Sequence, residues 1–272
     1  MKKILLLLLT VSFLFSANAQ LGHLFSKKRK DKPDEASQII KTPEGPKVKK
    51  DWSKVNVSNR PTDHLMIQYG SDSWLNRPDS INTKGFSRHF NFYFMMDKPS
   101  KNDHRYSIAY GAGISSSNIF FNGTNYVDLK ANSNLLPFRT SALGNSDSSS
   151  FSKFKLVTMY LDIPAELRFF SNPENPNHSW KFALTAKAGI LLKAYTKGKD
   201  LQLKTGGSVY GSNYIVKEED GKFISGTKFT LGGRIGYGNL SLNAEYQLTG
   251  VLKQGTGPDM HTLSIGLTLS GL

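Results

Sequence analysis

MYLDIPAELRFF, residues 159–170, carries the reading of the whole chain. Met159, Leu161, Ile163, Ala165, Leu167 and Phe169 fall on one side of an extended backbone, and Tyr160, Asp162, Pro164, Glu166 and Arg168 on the other. Successive side chains of a strand point to opposite faces, so a period of two marks a strand with two different surroundings. Pro164 interrupts the pattern chemically, because it has no N–H to give to a neighbouring strand. In a sheet without free edges such a residue belongs at a bulge. A local distortion is therefore expected at Ile163-Pro164.

The same split recurs along the chain. Leu240, Leu242, Ala244, Tyr246 and Leu248 alternate with Ser241, Asn243, Glu245, Gln247 and Thr249. Leu263, Ile265, Leu267 and Leu269 alternate with Thr262, Ser264, Gly266, Thr268 and Ser270. Residues 180–194 place Trp180, Phe182, Leu184, Ala186, Ala188, Ile190 and Leu192 against Lys181, Thr185, Lys187 and Lys193. With weaker versions elsewhere, the pattern predicts eight strands near 63–70, 85–96, 104–116, 153–170, 179–195, 226–237, 240–249 and 260–271.

Their connections alternate in length. DKPSKND, SNPENPNH and the dipeptide Gly238-Asn239 are short and rich in turn formers, whereas the other connections are long. Short turns at one end and long loops at the other are the habit of an outer-membrane barrel, with the turns in the periplasm. A two-residue turn at Gly238-Asn239 sets Tyr237 opposite Leu240, Ile235 opposite Leu242, Leu231 opposite Tyr246 and Phe229 opposite Leu248. Apolar meets apolar throughout.

Aromatic residues at the rims, with Leu, Ile and Ala between them, assign the apolar side to lipid. Tyr106, Phe169, Trp180 and Tyr237 stand at the turn ends, and Tyr69, Phe86, Phe229 and Tyr246 toward the other ends. The polar side then faces a lumen that eight strands leave filled by side chains. Buried charges need partners, so Asp162, Glu166, Arg168, Lys187, Arg234 and Glu245 are expected to form internal ion pairs, with Asp162 facing Lys187 and Arg234 reaching Glu245.

The two ends of the chain set the compartment. Lys2 and Lys3, an apolar run from Ile4 to Phe15, and Ala17-Asn18-Ala19 make a signal peptide over residues 1–19. Residues 20–61 form a flexible arm: over 20–60, eleven Lys/Arg stand against five Asp/Glu, including KKRK at 27–30. In an exported chain this charge suits anionic lipid, cell-wall polymer or an envelope protein, not nucleic acid. Residues 62–272 form the barrel, with both termini in the periplasm. The chain has no cysteine, so disulfides and thiolate metal sites are excluded. After residue 20 no apolar run is long enough for a membrane helix, and only helices and closed barrels satisfy their own backbone in lipid.

Tyr160, Leu161, Ile163, Pro164, Leu167 and Arg168, followed by a short turn and WKFALTAKAGILLKAYTKG with Gly189, resemble the outer-membrane β-barrel domain common in Bacteroidota and called PorT-like. The resemblance covers about residues 62–272 and implies an eight-stranded barrel in the outer membrane. It implies no single activity; the family's namesake takes part in secretion and gliding.

Catalytic, cofactor and metal sites have no sequence signature here. The six histidines show no H-x-x-x-H or H-E-x-x-H spacing, and neither G-x-S-x-G nor a phosphate loop occurs. Asp162, Glu166 and Glu245 could act as acid–base groups, but ion pairing with the nearby Lys and Arg is the simpler role. A barrel enzyme acting on lipid or peptide, tested through His89 and His261, stands as the alternative.

The long loops hold the other candidates. NIFFNGTNYVDLK is expected to form a hairpin at Asn122-Gly123, and NYIVKEEDGKFISG a second one. Phe120, Phe121, Tyr126 and Tyr214 are candidate aromatic contacts for a surface partner. If both hairpins joined the barrel it would have ten strands. The reading as a whole is a non-enzymatic outer-membrane barrel acting in envelope structure, surface interaction or an envelope complex.

Overall fold

Eight antiparallel strands close into a ring in which each pairs with the next. They are β1 (Leu65–Leu75), β2 (Ser87–Pro99), β3 (Tyr106–Phe121), β6 (Ser149–Phe170), β7 (Trp180–Leu203), β9 (Thr227–Tyr237), β10 (Leu240–Gln247) and β11 (His261–Ser270). The order β6-β3-β2-β1-β11-β10-β9-β7 is closed by pairing of β6 with β7. The computed structural model describes residues 50–55, 64–84, 86–122, 126–139, 149–203 and 205–271. The expected signal peptide and nearly all of the expected arm lie outside these residues.

The ring is inside-out relative to a water-soluble barrel. Along β6, Ile163 is 64% exposed, while its neighbours Asp162 and Glu166 are 0% and 1% exposed. On β7, Leu184 is 69% exposed between the buried Ala183 and Thr185. The outer face of β2 carries Phe90, Phe92, Phe94 and Met96, and its inner face His89, Asn91, Tyr93 and Met95. A wall of Leu, Ile and Phe around a charged interior is stable only where hydrocarbon replaces water outside. At the turn end, Tyr106 packs on Phe169 at 5.2 Å and Trp180 on Tyr237 at 5.8 Å, forming part of an aromatic girdle.

The register follows the turns. Tyr237 pairs with Leu240, Ile235 with Leu242 and Leu231 with Tyr246, and the Leu248 N–H donates to the Phe229 carbonyl at 2.7 Å. Gly238 has φ +59°, a left-handed conformation suited to this two-residue turn.

Pro164 is accommodated differently from the expected bulge. Its side chain faces the lumen, and pairing with β7 runs unbroken past it, Pro164 opposite Lys187. Pairing with β3 lapses between Tyr110–Ala165 and Gly113–Asp162, with no residue inserted. A missing donor thus costs a short gap in one ladder and no change of register. The register shift of β6 lies between Met159 and Tyr160: Met159 pairs with Lys193 and Tyr160 with Leu191, leaving Leu192 as the extra residue. Beyond this bulge the alternation of β7 reverses. Ala194 and Thr196 become the buried residues, and Lys193, expected in the lumen, turns instead to Glu219 at 2.9 Å.

Neither expected loop hairpin forms as read. The end of β3 stays in the ring, Phe121 opposite Phe154. β4 (Tyr126–Val127) pairs with β5 (Phe138–Arg139) as a separate small sheet. β8 (Ile215–Glu219) pairs with the upper part of β7. Since these segments join β5 or the outer flank of β7, the ring has eight strands and not ten.

Candidate functional site

Inward-facing charges of β6, β7, β9 and β10 meet along the barrel axis and close it in tiers. Nearest the turns, Glu166 accepts from Arg168 Nε at 2.7 Å, Arg234 Nη2 at 3.0 Å and Thr185 Oγ1 at 3.1 Å. Arg168 also lies 3.6 Å from Asp97, which accepts from Ser107 Oγ at 2.7 Å. In the next tier, Lys187 Nζ donates to both oxygens of Glu245 at 2.7 and 2.8 Å and to Gln68 Oε1 at 2.8 Å. Asn91 Nδ2 donates to Gln68 Oε1 at 3.0 Å, and Gln68 Nε2 to Glu245 Oε1 at 3.0 Å. Above it, Asp162 Oδ2 accepts from Lys228 Nζ and from Tyr93 O–H, both at 3.0 Å. Tyr93 links the tiers, because its oxygen also accepts from Lys187 Nζ at 3.2 Å.

All six predicted lumen residues are therefore inside and paired, but with different partners. Asp162 holds Lys228, not Lys187; Lys187 holds Glu245; Arg234 holds Glu166, not Glu245. The register explains the first change. Asp162 stands directly opposite Gly189, where an added Cβ would lie 2.2 Å from its Oδ1. The missing side chain at Gly189 opens the path across which Lys228 arrives from β9, whose register also sets it beside Gly189. Arg234 is diagonal to Glu245 on the sheet, as expected, yet its guanidinium reaches over β7 to Glu166 on β6, the next strand but one; Ala183 between them pairs with both Arg234 and Arg168. Pairs between strands two apart cannot be read from adjacent strands alone.

A fourth cluster sits toward the loops. Asp72 Oδ1 lies 2.8 Å from His89 Nδ1 and accepts from Ser264 Oγ at 2.6 Å, while Ser117 Oγ donates to Oδ2. His89 lies over the glycines of β1 and β11: a Cβ on Gly70 would come within 2.7 Å of the ring and one on Gly266 within 3.0 Å. An Asp–His pair invites comparison with a hydrolase. Both serines, however, bond the carboxylate, and no hydroxyl of the described residues engages His89 Nε2. A nucleophile would need the opposite arrangement, with the hydroxyl on the far ring nitrogen. His261, the other histidine considered, bonds the Gln247 carbonyl through Nδ1 at 3.1 Å and stacks on Tyr246. The cavity beside this cluster is about 50 Å³, room for a few waters at roughly 10–15 Å³ each. Among the described residues no group of three or more His, Asp or Glu is placed to hold a metal.

The loops close the other end with a second, apolar core. Trp74, Phe121, Phe154, Leu201, Phe223 and Met260 come from different loops and strand ends and are almost wholly buried together. Backbone bonds tie the loops to one another, among them Leu136 N–H to the Thr256 carbonyl at 2.7 Å and Lys253 N–H to the Phe223 carbonyl at 2.9 Å. Phe121, expected as a surface contact, is 0% exposed and packs edge-on against Trp74. Tyr126 is half-buried against Phe154, and its hydroxyl donates to Glu218 Oε1 at 2.8 Å. Burial and this carboxylate both push its phenol above the ordinary tyrosine value. Phe120 lies on the outer wall between Arg88 and Lys155, and Tyr214 packs on the exposed Tyr210. Of the four candidates Phe121 is buried and Phe120, Tyr126 and Tyr214 are half-buried, both tyrosines against the loop core. Tyr210, more exposed than either, was missed because no alternation marks it.

Closed ring, lipid-facing apolar wall and charged interior define an outer-membrane-type β-barrel with a filled lumen. Among solved structures, the chain is similar to Ail, the attachment invasion locus protein of Yersinia pestis, at 13% identity and TM-score 0.32, over 77% of this chain and 97% of that one. It is also similar to a mutant Rh. blastica porin, at 10% identity and TM-score 0.18, over 77% of this chain and 98% of the porin. No protein-family model and no curated protein matches the sequence.

Proposed function

We propose that this protein is a non-conducting, non-enzymatic barrel of the outer membrane, exported by its signal peptide, with its turns and termini in the periplasm. Its loop cap then faces outward and serves in envelope structure, in surface interaction or as one subunit of an envelope complex. The observation that carries this reading is the lumen itself. Three ion-pair tiers, the upper two linked by Tyr93, pack bonded side chains along it, and an eight-stranded lumen filled in this way is expected not to conduct. The YLDIP strand and Gly189 support a place among the PorT-like barrels of Bacteroidota. A role in a secretion or gliding apparatus, like that of the namesake, is one form such a complex would take. The basic arm would meet anionic lipid, cell-wall polymer or a partner protein in the periplasm.

Conductance across a planar bilayer tests the central claim. Purified protein is expected to insert without the ion steps of an open porin; steady porin-like steps would end this reading. Density fractionation of envelopes checks the location, and protease added to intact cells should reach the loops but not the arm.

A further inference from the structure

Above the bulge, the strands continue past the apolar wall and change chemistry on their outer face. On β6, Lys155 and Lys153 alternate with the buried Leu156 and Phe154; on β7, Lys197 and Lys199 lie beyond Leu192; on β8, Lys217 adds a third column. The register sets these lysines side by side. Lys155 pairs with Lys197, Lys197 with Lys217, and Lys153 with Lys199. Arg88 flanks the group, sharing the ring of Phe120 with Lys155 at 5.9 and 5.6 Å.

Like charges directly opposite on adjacent strands are unfavourable, and three such pairs lie in this one patch. Glu219 offsets only Lys193 and Lys217. Lys155 has a neutral partner, Asn118 Oδ1 at 2.7 Å. Among the described residues no carboxylate lies within ion-pair distance of Arg88, Lys153, Lys155, Lys197 or Lys199. The patch begins where the apolar face ends, so it lies at the depth of lipid headgroups and points away from the lumen. Among the described residues nothing supplies its counter-charge, and an anion at that depth would do so.

We infer that this outer wall of β6, β7 and β8 binds the phosphate groups of an anionic lipid in the leaflet that the loops cross. The inference rests on the orientation proposed above, under which that lipid is the phosphorylated glycolipid of the outer leaflet. Its acyl chains would lie along Leu161, Ile190 and Leu192 while the lysines hold its headgroup. Charge near an anionic surface adds affinity residue by residue and weakens as salt screens it.

The test uses the full mature chain in neutral detergent micelles, titrated with lipid A and followed by native mass spectrometry. Wild-type protein should bind lipid A, and Lys155→Gln/Lys197→Gln/Lys199→Gln should bind roughly a hundredfold more weakly. Lys130→Gln/Lys253→Gln, exposed loop lysines outside the patch, should bind like wild type. Folding of each variant is read from its heat-modifiable gel mobility; should the triple variant not fold, single Lys197→Gln gives a smaller loss of the same sign. Equal binding by the triple variant, or equal binding of lipid A stripped of its phosphates, overturns the inference. So does displacement of lipid A by an equal concentration of inorganic phosphate, which would make the patch a site for free anions. Since binding is read in micelles, failure here leaves the envelope location to its own fractionation result.

Discussion

Lys187 Nζ and Glu245 Oε1 lie 2.7 Å apart near the barrel axis, brought from strands 58 residues apart in sequence. Both side chains are almost wholly buried. Removing one partner of such a pair strands the other charge, which typically costs about 3–5 kcal/mol. Lys187→Met is therefore expected to destabilise the barrel strongly, and Glu245→Gln likewise. The double variant should recover a large part of the loss. Urea unfolding in lipid vesicles, run as a double-mutant cycle, measures this; additive losses would show that the two side chains act independently.

Leu161 points to lipid and Thr158 lines the cavity inside. Leu161→Arg should cost roughly 2–4 kcal/mol in bilayers, as a charge on the lipid face near mid-depth does. Thr158→Arg faces water and polar side chains and should cost less. Comparing the unfolding midpoints of the two variants decides it, and the reverse order would mean that the wall and the lumen had been exchanged.

Phe121 is the centre of the loop core, in ring contact with Trp74 and Phe154. Phe121→Ala should weaken that core by about 3–5 kcal/mol. Because the cap lies beyond the membrane, its loss should be local. Added protease should cut the loops faster than in wild type while heat-modifiable mobility, which reports the barrel, persists.

Tyr126 gives the cap a pH dependence. Its phenol is held above the ordinary value by burial first and by the Glu218 bond second. An acid whose folded pKa is raised contributes stability below its unfolded value, about 10, and loses it as pH rises through the folded one. Protease sensitivity of the loops should thus be flat from neutral pH to about 9 and rise above about 10. Tyr126→Phe, which keeps the ring and removes the titrating group, should flatten part of that rise.

Much of the barrel was legible in the alternation around Leu161 and Ile163. A period of two with one side apolar leaves few alternatives, and the Gly238-Asn239 turn fixed a register that the structure repeats pair by pair. Which residues carry the internal charges was legible as well, because Asp162, Glu166, Arg168, Lys187, Arg234 and Glu245 all fall on the polar side. Their pairing was not. Arg234 finds Glu166 over the small residues of β7, a pairing that depends on the register of three strands together. Phe121 shows the same limit from the other direction: an aromatic in a long loop looks exposed until Trp74 and Phe154, from other segments, cover it.

Sequence alone determined that this chain builds strands with one greasy and one polar side, since side-chain direction follows the backbone period and needs no partner. Tertiary structure decided what each side meets. Closing the ring chose the ion pairs, gathering the loops built the apolar cap, and the extra residue at Leu192 turned lysines of β7 outward. Each of these depends on atoms far apart along the chain arriving at one place, and such distances are set only when the barrel closes.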